Sequence, residues 1–226
     1  MNSLSINCTW ALRAPLHVGT GLSRGGYIDR LIRVDSNKAP FLPGDAIKGA
    51  IRMSAERLLR WLVPDAPMED DDKSLPTNPV LRRIFQSSDN GVYYRFPPAR
   101  RVGEHADESV STYSSTAIEK ESRTARNDTL RTTEISSRLD KFQLEFYAEG
   151  GDWSVPGSRD WNDALFLCAA IAATEAIGGK RGIGLGALIL ESPECSTPSL
   201  DFALLRQPEY ISKLRDHLSA KEEASQ

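Results

Sequence analysis

Residues 27–63 read YIDRLIRVDSNKAPFLPGDAIKGAIRMSAERLLRWLV, and the reading of this stretch decides the fold. Ile28, Arg30, Ile32 and Val34 interleave with Tyr27, Asp29, Leu31 and Arg33, a β-branched composition that predicts a strand despite an irregular alternation. Pro40 and Pro43 impose extended or turn geometry on the residues before them, and Gly44 with Asp45 offers a joint and an N-cap side chain. A helix is expected over 45–63. Ile47, Ile51, Ala55, Leu58, Leu59 and Leu62 recur at helical spacing, while Lys48, Arg52, Glu56 and Arg60 repeat on another face. The free N–H groups at its start, with Lys48 and Arg52 one and two turns along, suit a phosphate; an ordinary solvated face with an ordinary cap fits the same residues.

Upstream, Leu4, Ile6, Cys8, Trp10 and Leu12 occupy every second position, the pattern of a half-buried strand over 4–13. It runs into LHVGTGLSRGG (16–26), where glycines at 19, 21, 25 and 26 exclude regular structure and allow close backbone approach to a ligand or partner. Downstream, Asn78 and Pro79 read as N-cap and first residue of a short helix, and 92–96 as a strand followed by Pro97, Pro98 and a basic group of Arg95, Arg100 and Arg101. From Gly103 to Arg138 the chain is polar and poor in large apolar residues, so it is expected to project from the core or to remain unfolded until a partner is present. Phe142, Leu144 and Phe146 alternate as a strand over 142–147. Asp160 is expected to cap an almost wholly apolar helix over 160–177, stopped by Gly178 and Gly179 and followed by a strand over 187–191. Helical spacing returns at Tyr210, Leu214 and Leu218.

Taken in order these elements are βαββαβ, an α+β ferredoxin-like (RRM-like) core with long insertions, including the projecting hairpin around 103–138. RNA-recognition modules share this arrangement, but no aromatic signature marks the strands, so base stacking on the sheet face is not expected. A chain of 226 residues buries one sizeable core, and a single domain over 1–226 is the expectation.

The net charge of −3 argues against a protein that coats nucleic acid unless charge is segregated, and it is. Residues 10–60 hold nine Lys or Arg against four Asp or Glu, whereas the acidic loop near 65–74 carries Asp65, Glu69, Asp70, Asp71 and Asp72. Cys8, Cys168 and Cys195 are odd in number and never spaced C-x-x-C, which supports neither a disulfide framework nor a zinc site and fits a reducing compartment. His17, His105 and His217 are scattered and offer no metal cluster or catalytic triad, and His105 and His217 are expected in solvent. The longest apolar run, 164–173, is too short to span a bilayer and the N-terminus has no signal-peptide pattern, so a soluble protein with no membrane partner is expected.

The segment Gly178-Gly179-Lys180-Arg181-Gly182-Ile183-Gly184-Leu185-Gly186 follows a helix and precedes a strand, the reverse of a dinucleotide-binding turn, and lacks the G-K-[ST] end of a P-loop. What it offers is small residues beside Lys180 and Arg181, a shape that lets a phosphate backbone approach peptide N–H groups.

Two motifs in this order resemble the RAMP superfamily of CRISPR-associated proteins. The first is Pro40, Leu42, Pro43, Gly44, Asp45, Ala46, Ile47, Lys48, Gly49 and Arg52, with Asp45 and Ala46 where the family commonly has serines; the second is the glycine-rich loop Gly178, Gly179, Gly182, Gly184 and Gly186. His17 and Gly19 match the family's L-H-x-G, and Thr124, Ala125, Glu134 and Phe142 match part of its hairpin pattern, whose aspartate and arginine have only loose counterparts here. The resemblance implies nucleic-acid contact at His17, and at Asp29, within Gly26-Tyr27-Ile28-Asp29, the target-cleaving aspartate of the repeated backbone subunit of type III effector complexes. It implies a prokaryotic cytoplasmic protein that binds guide RNA through Lys48, Arg52, Lys180 and Arg181 and assembles with copies of itself and other subunits. It would cut paired target RNA with a divalent ion, Mg²⁺, held by Asp29. Two alternatives stay open: a non-catalytic RNA-binding or capping subunit of the same superfamily, and a metal-independent guide-processing ribonuclease with His17 as general base.

Overall fold

The computed structural model describes residues 3–64, 78–86, 91–103, 110–136, 140–197 and 199–220. The acidic loop at 65–74 and His105 lie outside them. The central strand is β1 (Ser3–Leu12), whose inward residues Leu4, Ile6, Cys8, Trp10 and Leu12 are all buried, as the alternation predicts. It pairs antiparallel with β7 (Lys141–Glu149), and the register sets Ile6 against Phe146, Cys8 against Leu144 and Trp10 against Phe142. The two apolar sets therefore share one face, and each large side chain buried there contributes about 1.5–3 kcal/mol. On the other side of β1 lies β8 (Leu188–Cys195), with a bulge opposite Asn7–Thr9.

Beyond β7 the chain alongside it is broken into β3 (Tyr93–Arg95) and β4 (Ala99–Val102), because Pro97 and Pro98 have no N–H to give the ladder. A two-residue β2 (Phe41–Leu42) closes that edge, giving the order β2–β4–β7–β1–β8 with β3 also on β7. Arg101 of the expected basic group is buried in an ion pair with Asp140 at 3.2 Å.

The helices cover the apolar face. Helix α1 (Gly44–Leu62) lays Ile47, Ile51, Ala55, Leu59 and Leu62 into the core, and α3 (Arg159–Ala172) packs beside it. Helix α1 starts at Gly44 rather than Asp45, behind Pro43, and no side chain caps it; a side chain at Gly44 would collide with the Phe96 carbonyl. Asn78 caps α2 (Pro79–Phe85) as expected, its side chain accepting from the N–H groups of Val80 and Leu81.

Three expectations are corrected. The N-cap of α3 is Ser158, accepting from the Trp161 N–H at 3.2 Å, while Asp160 instead accepts from the Asp152 N–H. Helix α3 also ends at Ala172, short of Ile177, because the Thr174 hydroxyl donates back to the Ala170 carbonyl and residues 175–177 pair with 186–188. His217, expected in solvent, lies on α4 (Pro208–Ser219) with its Nε2 2.6 Å from Asp163, which Arg83 also holds at 2.6 and 2.9 Å.

Residues 27–34 form no continuous strand. They pair singly, Arg24 with Ile28, Gly19 with Ile32, Val34 with Pro40 and Arg30 with Thr133, because the glycine-rich segment before them folds back on them. In the polar insertion, β5 (Val110–Ser115) pairs antiparallel with β6 (Arg131–Ser136) as a separate two-stranded sheet. Its base is not exposed: Thr133, Ile135 and Ser136 are buried, whereas Ile118 and Leu130 between the strands stand in solvent.

Candidate nucleic-acid interface

The site grows from the place where β1 ends. The segment after it, 16–18, is gripped by β6: the Ser136 N–H donates to the Leu16 carbonyl at 2.8 Å, and His17 Nδ1 donates to the Glu134 carbonyl at 2.7 Å. A carbonyl only accepts, so Nδ1 carries a proton. That ring is 5% exposed and lies against Gly19 and the glycine-rich loop.

On this same edge, opposite β5, β6 takes the 29–32 segment as a neighbour. Asp29 and Arg30 N–H groups donate to the Thr132 carbonyl, the Glu134 N–H donates to the Arg30 carbonyl, and Glu134 Oε2 accepts from the Ile32 N–H at 3.0 Å. The Asp29 side chain joins this lattice, its Oδ2 accepting from the Thr132 N–H at 2.7 Å. Asp29 remains exposed, and its Oδ1 makes no hydrogen bond among the described residues.

The glycine-rich loop lies against the same joint. Gly178 has φ +87 with its Cα pressed on the His17 carbonyl, and the Gly179 N–H donates to that carbonyl at 2.8 Å. Gly186, at φ +74, packs on the Ile177 carbonyl, and its N–H donates to Pro15 at 2.8 Å. These two glycines are required by the chain's own backbone. Gly182 and Gly184 are not crowded, with no atom within 4 Å of an added Cβ.

Between Gly178 and Gly186, Lys180 adopts a left-handed φ of 59, which costs a non-glycine residue about 1 kcal/mol or more. Its side chain is held from two sides: Nζ donates to the Thr133 hydroxyl at 3.0 Å and lies 5.4 Å from the centre of the Tyr113 ring. Burial pushes its ammonium below the usual lysine range, and Arg30 and Arg131 push it further; Asp29 opposes them.

Lys180 and Arg181 also line a groove of about 820 Å³ against the outer face of α1, opposite Met53, Arg57 and Arg60. Arg57 pairs with Glu175 at 3.6 Å, whereas Arg60, Lys180 and Arg181 make no ion pair among the described residues. Lys48 does not reach this groove. It lines a separate one with Phe41, Pro43 and Phe96 at the start of α1, its Nζ 6.0 Å from the Phe96 ring centre. Arg52 is paired with Glu56 at 2.7 Å. The structure thus joins His17, Asp29, Lys180 and the loop glycines, adds Arg181 along the groove, and sets Lys48 and Arg52 apart.

Sequence reading missed Arg30, Arg131, Tyr113, Arg57 and Arg60. The helical spacing of Arg57 and Arg60 put them within reach of discovery, but nothing local marks Tyr113 or Arg131, which reach Lys180 only through strand pairing.

Among the described residues no three His, Cys, Asp or Glu side chains converge as a metal centre, and no helix is long and apolar enough to cross a membrane. Asp29 supplies a single carboxylate. That suits a magnesium ion whose remaining ligands come from nucleic-acid phosphates and water, and it does not suit an ion resident in the free protein.

No curated protein matches this chain. The RAMP superfamily model matches residues 12–189, which include both the Gly44 turn at the start of α1 and the loop from Gly178 to Gly186. The chain belongs to the RAMP superfamily of CRISPR-associated proteins.

Proposed function

We propose that this protein is the repeated guide-RNA-binding backbone subunit of a type III CRISPR interference complex, cutting target RNA paired to the guide. Membership of the superfamily supports a CRISPR-associated RNA-binding subunit. The observation that carries the reading further is the adjacency of Asp29 to Lys180, with Arg30 and Arg131 around them: an exposed carboxylate set among cations suited to phosphates. The sheet order β4–β7–β1–β8, with α1 and α3 on one face, supports a ferredoxin-like βαββαβ core beneath this site.

In this reading Lys180, Arg181 and Arg60 neutralise backbone phosphates, which gives affinity without sequence readout. Asp29 is the protein's ligand to a divalent ion, Mg²⁺, carried in with the RNA, and that ion would neutralise charge on the scissile phosphate. The Thr132 N–H fixes the carboxylate through Oδ2 and leaves Oδ1 for that role. Copies of the chain and other subunits would complete the complex.

A second reading, a non-catalytic or capping subunit, is favoured by the same Thr132 bond, since it gives Asp29 a structural task. A His17 general base is disfavoured, because a ring 5% exposed and tied to Glu134 is poorly placed to meet a ribose hydroxyl. The deciding experiment is target-RNA cleavage by the assembled complex with magnesium, comparing wild type, Asp29→Asn and wild type with EDTA. Loss in both latter cases with binding retained supports the first reading. Cleavage by none supports the second, and cleavage that survives EDTA returns the third.

A further inference from the structure

Strands β5 and β6 and the 29–32 segment meet beside Asp29 and bring one row of side chains onto one face. Arg30 bridges Thr133 in parallel, and Thr133 pairs antiparallel with Tyr113, so residues 30, 133 and 113 stand side by side across the strands. Arg131, two positions before Thr133 on β6, shares that face, as period-two alternation requires. Lys180 lies across the row, bonded to the Thr133 hydroxyl at 3.0 Å and 5.4 Å from the Tyr113 ring centre. Three cations therefore converge around a threonine and a tyrosine. Neither arginine makes an ion pair among the described residues, and the single carboxylate nearby, Asp29, is already bonded to a backbone N–H. Three like charges with one carboxylate leave an excess of positive charge that a phosphodiester would offset, and two guanidinium forks with one ammonium supply its oxygens with donors.

We propose that Arg30, Arg131 and Lys180 form one phosphodiester-binding site at the base of the β5–β6 sheet, which takes a backbone phosphate of single-stranded RNA. The site rests on the RNA-binding reading above and adds two residues to it. Arg30 and Arg131 act as clamps, and Tyr113 and Thr133 keep the Lys180 ammonium over the row. Burial lowers the proton affinity of Lys180 most, and Arg30 and Arg131 lower it further, as expected of cations held close together before an anion arrives.

The test measures binding of a short single-stranded oligouridylate to the full chain across a salt series. Wild type is compared with Arg30→Gln/Arg131→Gln and with Lys120→Gln/Arg126→Gln, a charge-matched control on exposed residues between β5 and β6. The clamp variant is expected to bind about tenfold more weakly, with the salt slope lower by about 0.7, one single-strand phosphate, while the control keeps the wild-type slope. Equal melting temperatures for the three proteins show that folding is not the cause. If the clamp variant and the control lose the same affinity, bulk charge explains the effect and the site is overturned while the RNA reading stands. If wild type does not bind the oligomer, the RNA reading itself falls and the site with it.

Discussion

Asp29 and Thr132 hold each other twice: the Asp29 N–H donates to the Thr132 carbonyl at 2.9 Å, and the Thr132 N–H donates to Asp29 Oδ2 at 2.7 Å. The residue that the family resemblance marks for cleavage is thus also the fastener of the β5–β6 sheet. Asparagine keeps an oxygen that can accept the Thr132 N–H, and alanine does not. Asp29→Asn is expected to abolish cleavage with the melting temperature unchanged, whereas Asp29→Ala should also cost about 1 kcal/mol and speed amide exchange at Thr132. Exchange measured on both variants separates the tasks; equal exchange at Thr132 in wild type and Asp29→Ala would show that the fastener is unimportant.

The loop glycines divide by what lies beside them. Gly178→Ala and Gly186→Ala force a side chain against the carbonyls of His17 and Ile177 at φ near +80, so each is expected to destabilise the fold by more than about 1 kcal/mol. Gly182→Ala meets nothing within 4 Å and should leave stability unaltered while weakening RNA binding, because the added methyl stands where a phosphate backbone would approach. Thermal melting beside RNA titration checks the pair, and a Gly182→Ala protein that binds like wild type would remove that part of the loop from the interface.

Lys180 gives a pH dependence with a definite sign. Its ammonium loses its proton below the usual lysine range because of burial, then Arg30, then Arg131, against the opposing pull of Asp29; Tyr113 and Thr133 are the remaining groups upon it. Below that lowered value the residue is charged in folded and unfolded chains alike, so the cost of crowding is fully present, and it is relieved as pH rises toward 10.5. An RNA phosphate needs the charged form. Affinity should therefore fall as pH rises toward the alkaline range, earlier than for an ordinary lysine, and Lys180→Arg should flatten that fall. Identical pH profiles for the two proteins would place Lys180 outside the RNA contact.

Far from the site, Asp163 is 3% exposed through its side chain and is held by Arg83 and His217, which joins α2, α3 and α4. Removing it takes from the Arg83 guanidinium, 11% exposed, the carboxylate that holds it at 2.6 and 2.9 Å. Asp163→Ala is expected to cost about 3–5 kcal/mol in chemical denaturation, and the milder Asp163→Asn less, because its one amide oxygen can still accept from Arg83 and His217 at the Oδ1 position, although its NH2 then faces the Arg83 Nε–H. A loss under about 1 kcal/mol for the alanine variant would mean that Arg83 and His217 find water or other acceptors.

Limited proteolysis should cut the free protein first between β5 and β6, where Ile118 and Leu130 are exposed, and spare β6, whose Thr133, Ile135 and Ser136 are buried. Cutting at Asp65–Asp72 with 116–130 protected would reverse that ranking.

The sequence by itself determined the elements that carry strong periodicity. Alternation in β1 and β7, the stripe of α1 and the Asn78-Pro79 start of α2 are local patterns, and the apolar face that each displays has one place to be buried. Through the family they resemble, it also pointed to the glycine-rich loop and Asp29 as functional candidates. Tertiary structure alone decided what those residues touch. Whether 173–177 continues as helix or pairs with 186–188 depends on strands far along the chain, and so does the choice between Asp160 and Ser158 as cap. Lys48 and Lys180 read alike as basic residues near glycines, yet they line different grooves, because a charged side chain carries no periodic signal and its partners are set by packing. Arg30, Arg131 and Lys180 are separated by long stretches of chain, and only the pairing of β6 with both its neighbours makes them one site.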